Sequence, residues 1–209
     1  RTGPGWAASL ERLRRLGTAA SRLGCPSIAV RVQAPDTDEA FEATAVGVKI
    51  ALKELDKFEL NLLLAPNEGL TFDPGRLTDL IKKIGGFRIG SYPSFAHAHE
   101  SGDLEKTLRK LAPYAPAIAA SVRGFDKDGK HDGYSLEACI ESIRSVGYGN
   151  TLALDFIGRD EGSKDGGKKK GGRKSASVDI VAELDAARRQ LTALTMEPEL
   201  PEGFEDDEE

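Results

Sequence analysis

Apolar residues recur along this chain with two alternating periods. In "WAASLERLRRLGTAASRLG", Leu10, Leu13, Leu16 and Ala20 fall at helical spacing, and Gly24 stands where a helix C-cap belongs. The next run, "SIAVRVQ", is short and β-branched, which predicts a strand. "DTDEAFEATAVGVKIALKELDKF" returns to the helical period, with Phe41, Ala45, Val48 and Leu52 on one face behind acidic first-turn residues. "LNLLLA" predicts a second strand. "DPGRLTDLIKKIGG" predicts a helix with Asp73 as N-cap, Pro74 at its first position and Gly85 past its end. A brief strand "FRIGS" and a helix from about Asp103 to Leu111 follow. "PAIAASV", "SLEACIESIRSVG" capped by Ser135, "TLALDFIG" and "VDIVAELDAARRQLTAL" continue as strand, helix, strand and helix.

Five strands thus interleave with six helices. Helices between strands are crossovers, so the sheet is expected to be parallel, with the helices outside it. A doubly wound nucleotide fold carries a Gly-rich turn after its first strand, and "AVRVQAPDTDEAF" has neither glycine nor G-x-G-x-x-G. A (β/α)8 barrel needs eight strands and about 250 residues. The reading is therefore α/β: a partial (β/α)8 TIM barrel over residues 1–197, comprising about the last five βα units. The opening helix expects a strand before it, and the only methionine is Met196. The first three units are accordingly expected elsewhere, on a preceding portion of the protein or on another chain that closes the fold.

Composition changes this picture little. The 209 residues are 39% hydrophobic and 30% charged, which suits one domain with a sizeable core. The formal charge of −5 is unevenly spread. "GSKDGGKKKGGRKS" makes residues 160–176 a flexible basic Gly/Lys loop, and residues 198–209 an acidic, disordered tail. With no aromatic side chain among the loop's lysines to stack on bases, a nucleic-acid partner is not expected. Cys25 and Cys139 read as small buried hydrophobes in a reducing, cytoplasmic setting, and no apolar run is long enough to span a membrane.

Three blocks carry a resemblance: "LLLAPNEGLTFDPGRLTDLIKKIG", then "RIGSYPSFAHAHESGD", then "LAPYAPAIAASVRGFDKDGKHDGYSLEACIESIRSVGYGNTLALDFIG". In order and spacing, Leu60 to Gly158 resembles the second half of the xylose isomerase-like TIM barrels. This is the sugar phosphate isomerase/epimerase family, which also includes the ketohexose 3-epimerases and endonuclease IV. The resemblance implies one divalent metal (Mn, Mg, Co or Zn) held by Glu, Asp, His and Glu at the last four strand tips, polarising a sugar's carbonyl and hydroxyl. In this sequence the first position falls on Ala65 and the second on Ser94. The strand that would bring the histidine has none between Pro116 and Val122, which places that ligand near Ala119. Only Asp155 is an acid. His97 matches the family's histidine three residues after the Asp, which touches substrate.

Other polar residues also follow strand ends, the active face of such barrels: Gln33, Asn67, Glu68, His99, Arg123, Asp126 and His131. His97, Asp155 and Glu68 are the catalytic candidates, and Asn67, Arg123 and His131 the candidates for binding a small sugar-like ligand. His99 and His131 also fit solvent-facing loop positions, and Asp126 in "FDKDGKHDG" fits turn chemistry. With Ala65 and Ser94 unable to serve as carboxylate ligands, no metal or other cofactor is expected. Three functions stay open: a family barrel with a degraded metal site and altered or lost isomerase activity, a non-catalytic binding or assembly module on the same fold, and, remotely, an endonuclease IV-like repair nuclease.

Overall fold

The computed structural model describes residues 4–126, 129–158 and 180–196, so the basic loop and the acidic tail lie outside the described residues. The described elements are α1 (Pro4–Arg22), β1 (Ser27–Arg31), α2 (Asp38–Leu55), β2 (Asn61–Ala65), α3 (Pro74–Ile84), β3 (Ile89–Ser91), α4 (Phe95–Glu100), α5 (Leu104–Leu111), β4 (Ala117–Val122), α6 (Leu136–Arg144), β5 (Thr151–Phe156) and α7 (Ile180–Thr195). Several ends form as their residues dictate. Asp73 accepts the Arg76 N–H and Ser135 the Ala138 N–H, each satisfying a first-turn donor. Gly24, at φ +70, lets the Gly24 and Cys25 N–H groups reach the Ser21 and Ala20 carbonyls and close α1.

All neighbouring strands run parallel. β1, β2 and β3 form one sheet in that order, with Arg31 opposite Ala65 and Leu64 opposite Ser91. β4 pairs with β5, and Ser121 lies opposite Asp155. A single parallel bridge, Ser94 to Ala119, joins the two sheets through the Ala119 N–H and the Pro93 carbonyl at 2.9 Å. Pro93 has no N–H to donate, which cuts β3 to three residues. The chain is thus an open parallel arc.

One face of the arc carries the helices. Ile28, Val30, Leu62 and Leu64 pack with Val48, Leu55, Leu77 and Leu80, while Ile118, Ala120, Val122 and Leu152 pack with Cys139, Ile140, Ile143 and Leu191. α5 belongs to both layers, through Leu108 in one and Leu111 in the other. Leu62, Leu64, Leu77 and Leu80 are essentially fully buried, and burial of that kind contributes about 1.5–3 kcal/mol per side chain. The other face is covered only toward its middle: Leu63, Ala119 and Ser121 are buried, whereas Ala29, Arg31 and Asp155 are exposed and Asn61, Ala65 and Ala153 half-buried.

The pattern misleads at three points. Strict alternation fails after β3, where α4 precedes α5; its six residues are too few to show a period. Leu16 is 47% exposed because α1 packs through its neighbour Gly17, where an added Cβ would stand 2.7 Å from the Phe58 ring. Cys25 is exposed, and only Cys139 is buried, which pushes its thiol up to about 12. Among the described residues no helix is long and apolar enough to cross a membrane.

Candidate functional site

The strand alternation that buries Val30, Leu64, Ile118 and Leu152 against helices turns the intervening residues to the opposite face. At the C-terminal ends these are Arg31, Ala65, Ser121, Arg123 and Asp155. Tyr92 joins them, because Ser91 before it points the other way and donates its hydroxyl to the Leu111 carbonyl at 2.9 Å. Tyr92 is half-buried, and its phenol is pushed above its ordinary value by burial and by the charge of Asp155.

Above β1 and β2 the loops are tied together. The Leu70 N–H donates to the Ala34 carbonyl at 3.0 Å, and Gly69 packs so closely that a Cβ there would lie 2.3 Å from the same oxygen. Asn67 belongs to this tie: its Nδ2 donates to the Val32 carbonyl at 3.3 Å and its N–H to Thr71 Oγ1 at 3.1 Å. Arg76 completes it, reaching Asp36 at 3.0 Å and Asp38 at 2.7 Å while lying over the Phe41 ring. Glu68 and Gln33 are exposed beside this tie.

His97 lies in α4, not in a loop. Ser94 Oγ accepts the His97 N–H at 3.1 Å and thereby caps that helix. The imidazole is 7% exposed, and Phe72 meets it edge-on. A carbonyl only accepts, so His97 Nε2 carries the proton it donates to the Phe72 oxygen at 2.8 Å. Nδ1 is left as a buried acceptor without a protein partner. Burial holds the ring below the ordinary imidazole value, hence neutral at pH 7.

His131 is built differently, and the expectation of a solvent-facing loop histidine is corrected: it is 6% exposed. Its Nδ1–H donates to the Tyr134 carbonyl at 2.9 Å, and its Nε2 accepts the Arg123 N–H at 3.0 Å. Both nitrogens are used within the chain, so His131 positions the loop after β4 and offers no free atom to a ligand. Tyr134 adds a second tie, its hydroxyl donating to the Ser121 carbonyl at 2.6 Å. Arg123, whose side chain is 14% exposed, lies 3.8 Å from Glu100. Asp126 does turn work, accepting the Lys130 N–H at 2.8 Å. His99 is exposed, with its ring centroid 5.2 Å from that of Tyr134.

The four positions of the expected metal set can now be placed. The histidine position, expected near Ala119, falls in β4, where Ala119 pairs with Ala153 and Ser121, two residues on toward the strand end, is in register with Asp155. Ala65 has no donor atom, Ser94 spends its hydroxyl oxygen as a cap, and Ser121 is a neutral hydroxyl. Asp155 alone is a carboxylate. Hard divalent cations want several anionic oxygens or imidazoles, and this donor set does not fit one. Among the described residues no three His, Cys, Asp or Glu side chains come together. Arg31, Tyr92, Ser121 and Tyr134 escaped the sequence reading. The polar break in "AVRVQ" could have flagged Arg31, whereas Tyr134 gave no signal.

No family model matches this chain, and no curated protein matches it either. Solved structures do. The chain is similar to a xylose isomerase domain protein from Planctomyces limnophilus (15% identity, TM-score 0.66), covering 90% of this chain and 64% of that one. It is similar to the IOLI protein solved with a zinc atom (9%, TM-score 0.70; 93% and 71% covered) and to L-ribulose 3-epimerase (18%, TM-score 0.61; 92% and 73% covered). The fold is thus that of the xylose isomerase-like TIM barrels, of which this chain spans 64–73% of the length.

Proposed function

We propose that this chain is the C-terminal part of a sugar phosphate isomerase/epimerase-family barrel in which the divalent-metal position has lapsed, leaving a mouth that holds a small sugar-like ligand with isomerase activity altered or lost. One observation carries the reading: of Ala65, Ser94, Ser121 and Asp155, only Asp155 can ligate as a carboxylate. Without a cation to polarise the sugar, the remaining chemistry is positioning. Asp155 accepts from a hydroxyl and Arg123 stands on the same face, while His97, buried in α4, and Asn67 and His131 hold the surrounding structure. Glu68 lies at the rim.

The open outer edges of β1 and β5 favour a second reading, a non-catalytic assembly module whose edges pair with further barrel strands. The endonuclease IV reading has no support in this donor set.

Melting in millimolar Mn tests the first reading. An ion that binds only the folded state at about 100 times its dissociation constant adds roughly 2.7 kcal/mol, which is several degrees. The expected result is no significant shift. A gain of several degrees that Asp155→Ala abolishes refutes the lapsed position.

A further inference from the structure

We infer that Arg31 supplies, at the mouth of the arc, the positive charge that a metal would otherwise bring, and that it selects a polyol bearing an anionic oxygen group, a carboxylate or a phosphate. This rests on the proposed reading of the mouth as a sugar site and narrows its ligand.

Arg31 is the register partner of Ala65. Paired strands lie about 4.8 Å apart, so the guanidinium rises beside the methyl group that stands in place of the first metal ligand. Both residues are on the face that carries no helices, and Arg31 is exposed. No hydrogen bond or ion pair engages its side chain among the described residues. The wall around it is firm, through the Ala34–Gly69 bridge, the Asn67 tie to Val32 and the Arg76 clasp on Asp36 and Asp38.

The same row continues with Tyr92, whose N–H donates to the Leu64 carbonyl at 2.9 Å. Burial and the charge of Asp155 keep its phenol protonated, so it is a hydrogen-bond donor at neutral pH. Asp155 then faces the mouth from β5. The wall therefore runs from the Arg31 cation through the Tyr92 donor to Arg123, which is paired with Glu100, and the Asp155 carboxylate. An anionic group is drawn to Arg31 and away from Asp155, whose carboxylate accepts from hydroxyls. A guanidinium forks onto a carboxylate or phosphate through two parallel N–H···O bonds, a match that a neutral hydroxyl cannot make.

Titration of the full chain at fixed ionic strength with ribose, ribonate and ribose 5-phosphate is the test. At least one of the two anions binds ten-fold or more tightly than ribose. Arg31→Gln removes that margin and Arg31→Lys keeps part of it. Comparison of ribonate with ribose 5-phosphate identifies which anionic group is taken. Equal binding of all three, or a margin that survives Arg31→Gln, overturns the role of Arg31 and leaves the sugar reading standing. A change of oligomeric state in Arg31→Gln with the margin intact also overturns it, making Arg31 a guard of the β1 edge. If none of the three binds, the sugar reading falls and this inference with it.

Discussion

At His131 the ring is a brace between the Tyr134 carbonyl and the Arg123 N–H. Truncation to alanine leaves both groups buried, each at a cost of about 1–3 kcal/mol, so His131→Ala is expected to lose about 3 kcal/mol in urea unfolding at pH 7.5. Burial lowers the imidazole below its ordinary value. The unfolded chain therefore takes up a proton near pH 6.5 while the folded chain resists it, and the stability contributed by neutral His131 declines as pH falls through that window. The measured loss in His131→Ala is accordingly smaller at pH 5.5 than at pH 7.5; an equal or larger loss would show that the ring is charged in the folded state. His97 was legible from its spacing within the resemblance. Neither the Phe72 carbonyl that fixes its tautomer nor the partners of His131 were, because such bonds depend on where distant loops meet.

Among elements, the loops after β1 and β2 act as one because Gly69 has no side chain. It sits at φ +83, and a Cβ there would be 2.3 Å from the Ala34 oxygen. Gly24, at φ +70, has nothing within 4 Å of the same position. Gly24→Ala is therefore expected to cost only the left-handed backbone, about 1–2 kcal/mol. Gly69→Ala adds the clash and unzips the loops, for a clearly larger loss; equal losses in thermal unfolding would contradict the tie. Among the described residues, the five strands and the six helices longer than two turns were readable from period and caps, because Asp73, Ser135 and Gly85 act locally. α4 was not, since "SFAHAHE" is too short to carry a period, although Ser94 had already supplied its cap.

The described residues present two open strand edges. Among the described residues β1 pairs only with β2 and β5 only with β4, and Leu154, Ile157, Ile180 and Val181 are exposed near the β5 side. Exposed strand edges flanked by apolar groups template pairing. The purified chain is expected to associate with rising concentration in sedimentation, and Leu154→Lys to reduce that association; a monomeric species with a cooperative melt would contradict it. The parallel order was legible from strict crossovers, whereas the break between β3 and β4 came from one proline. The central claim is that the mouth has lost its cation site, and calorimetric titration with Mn tests it most directly. The chain should show no one-to-one binding, while Ala65→Glu, Ser94→Asp, Ser121→His and Asp155→Glu together should create it. One-to-one binding by the unaltered chain, lost on Asp155→Ala, would contradict the account.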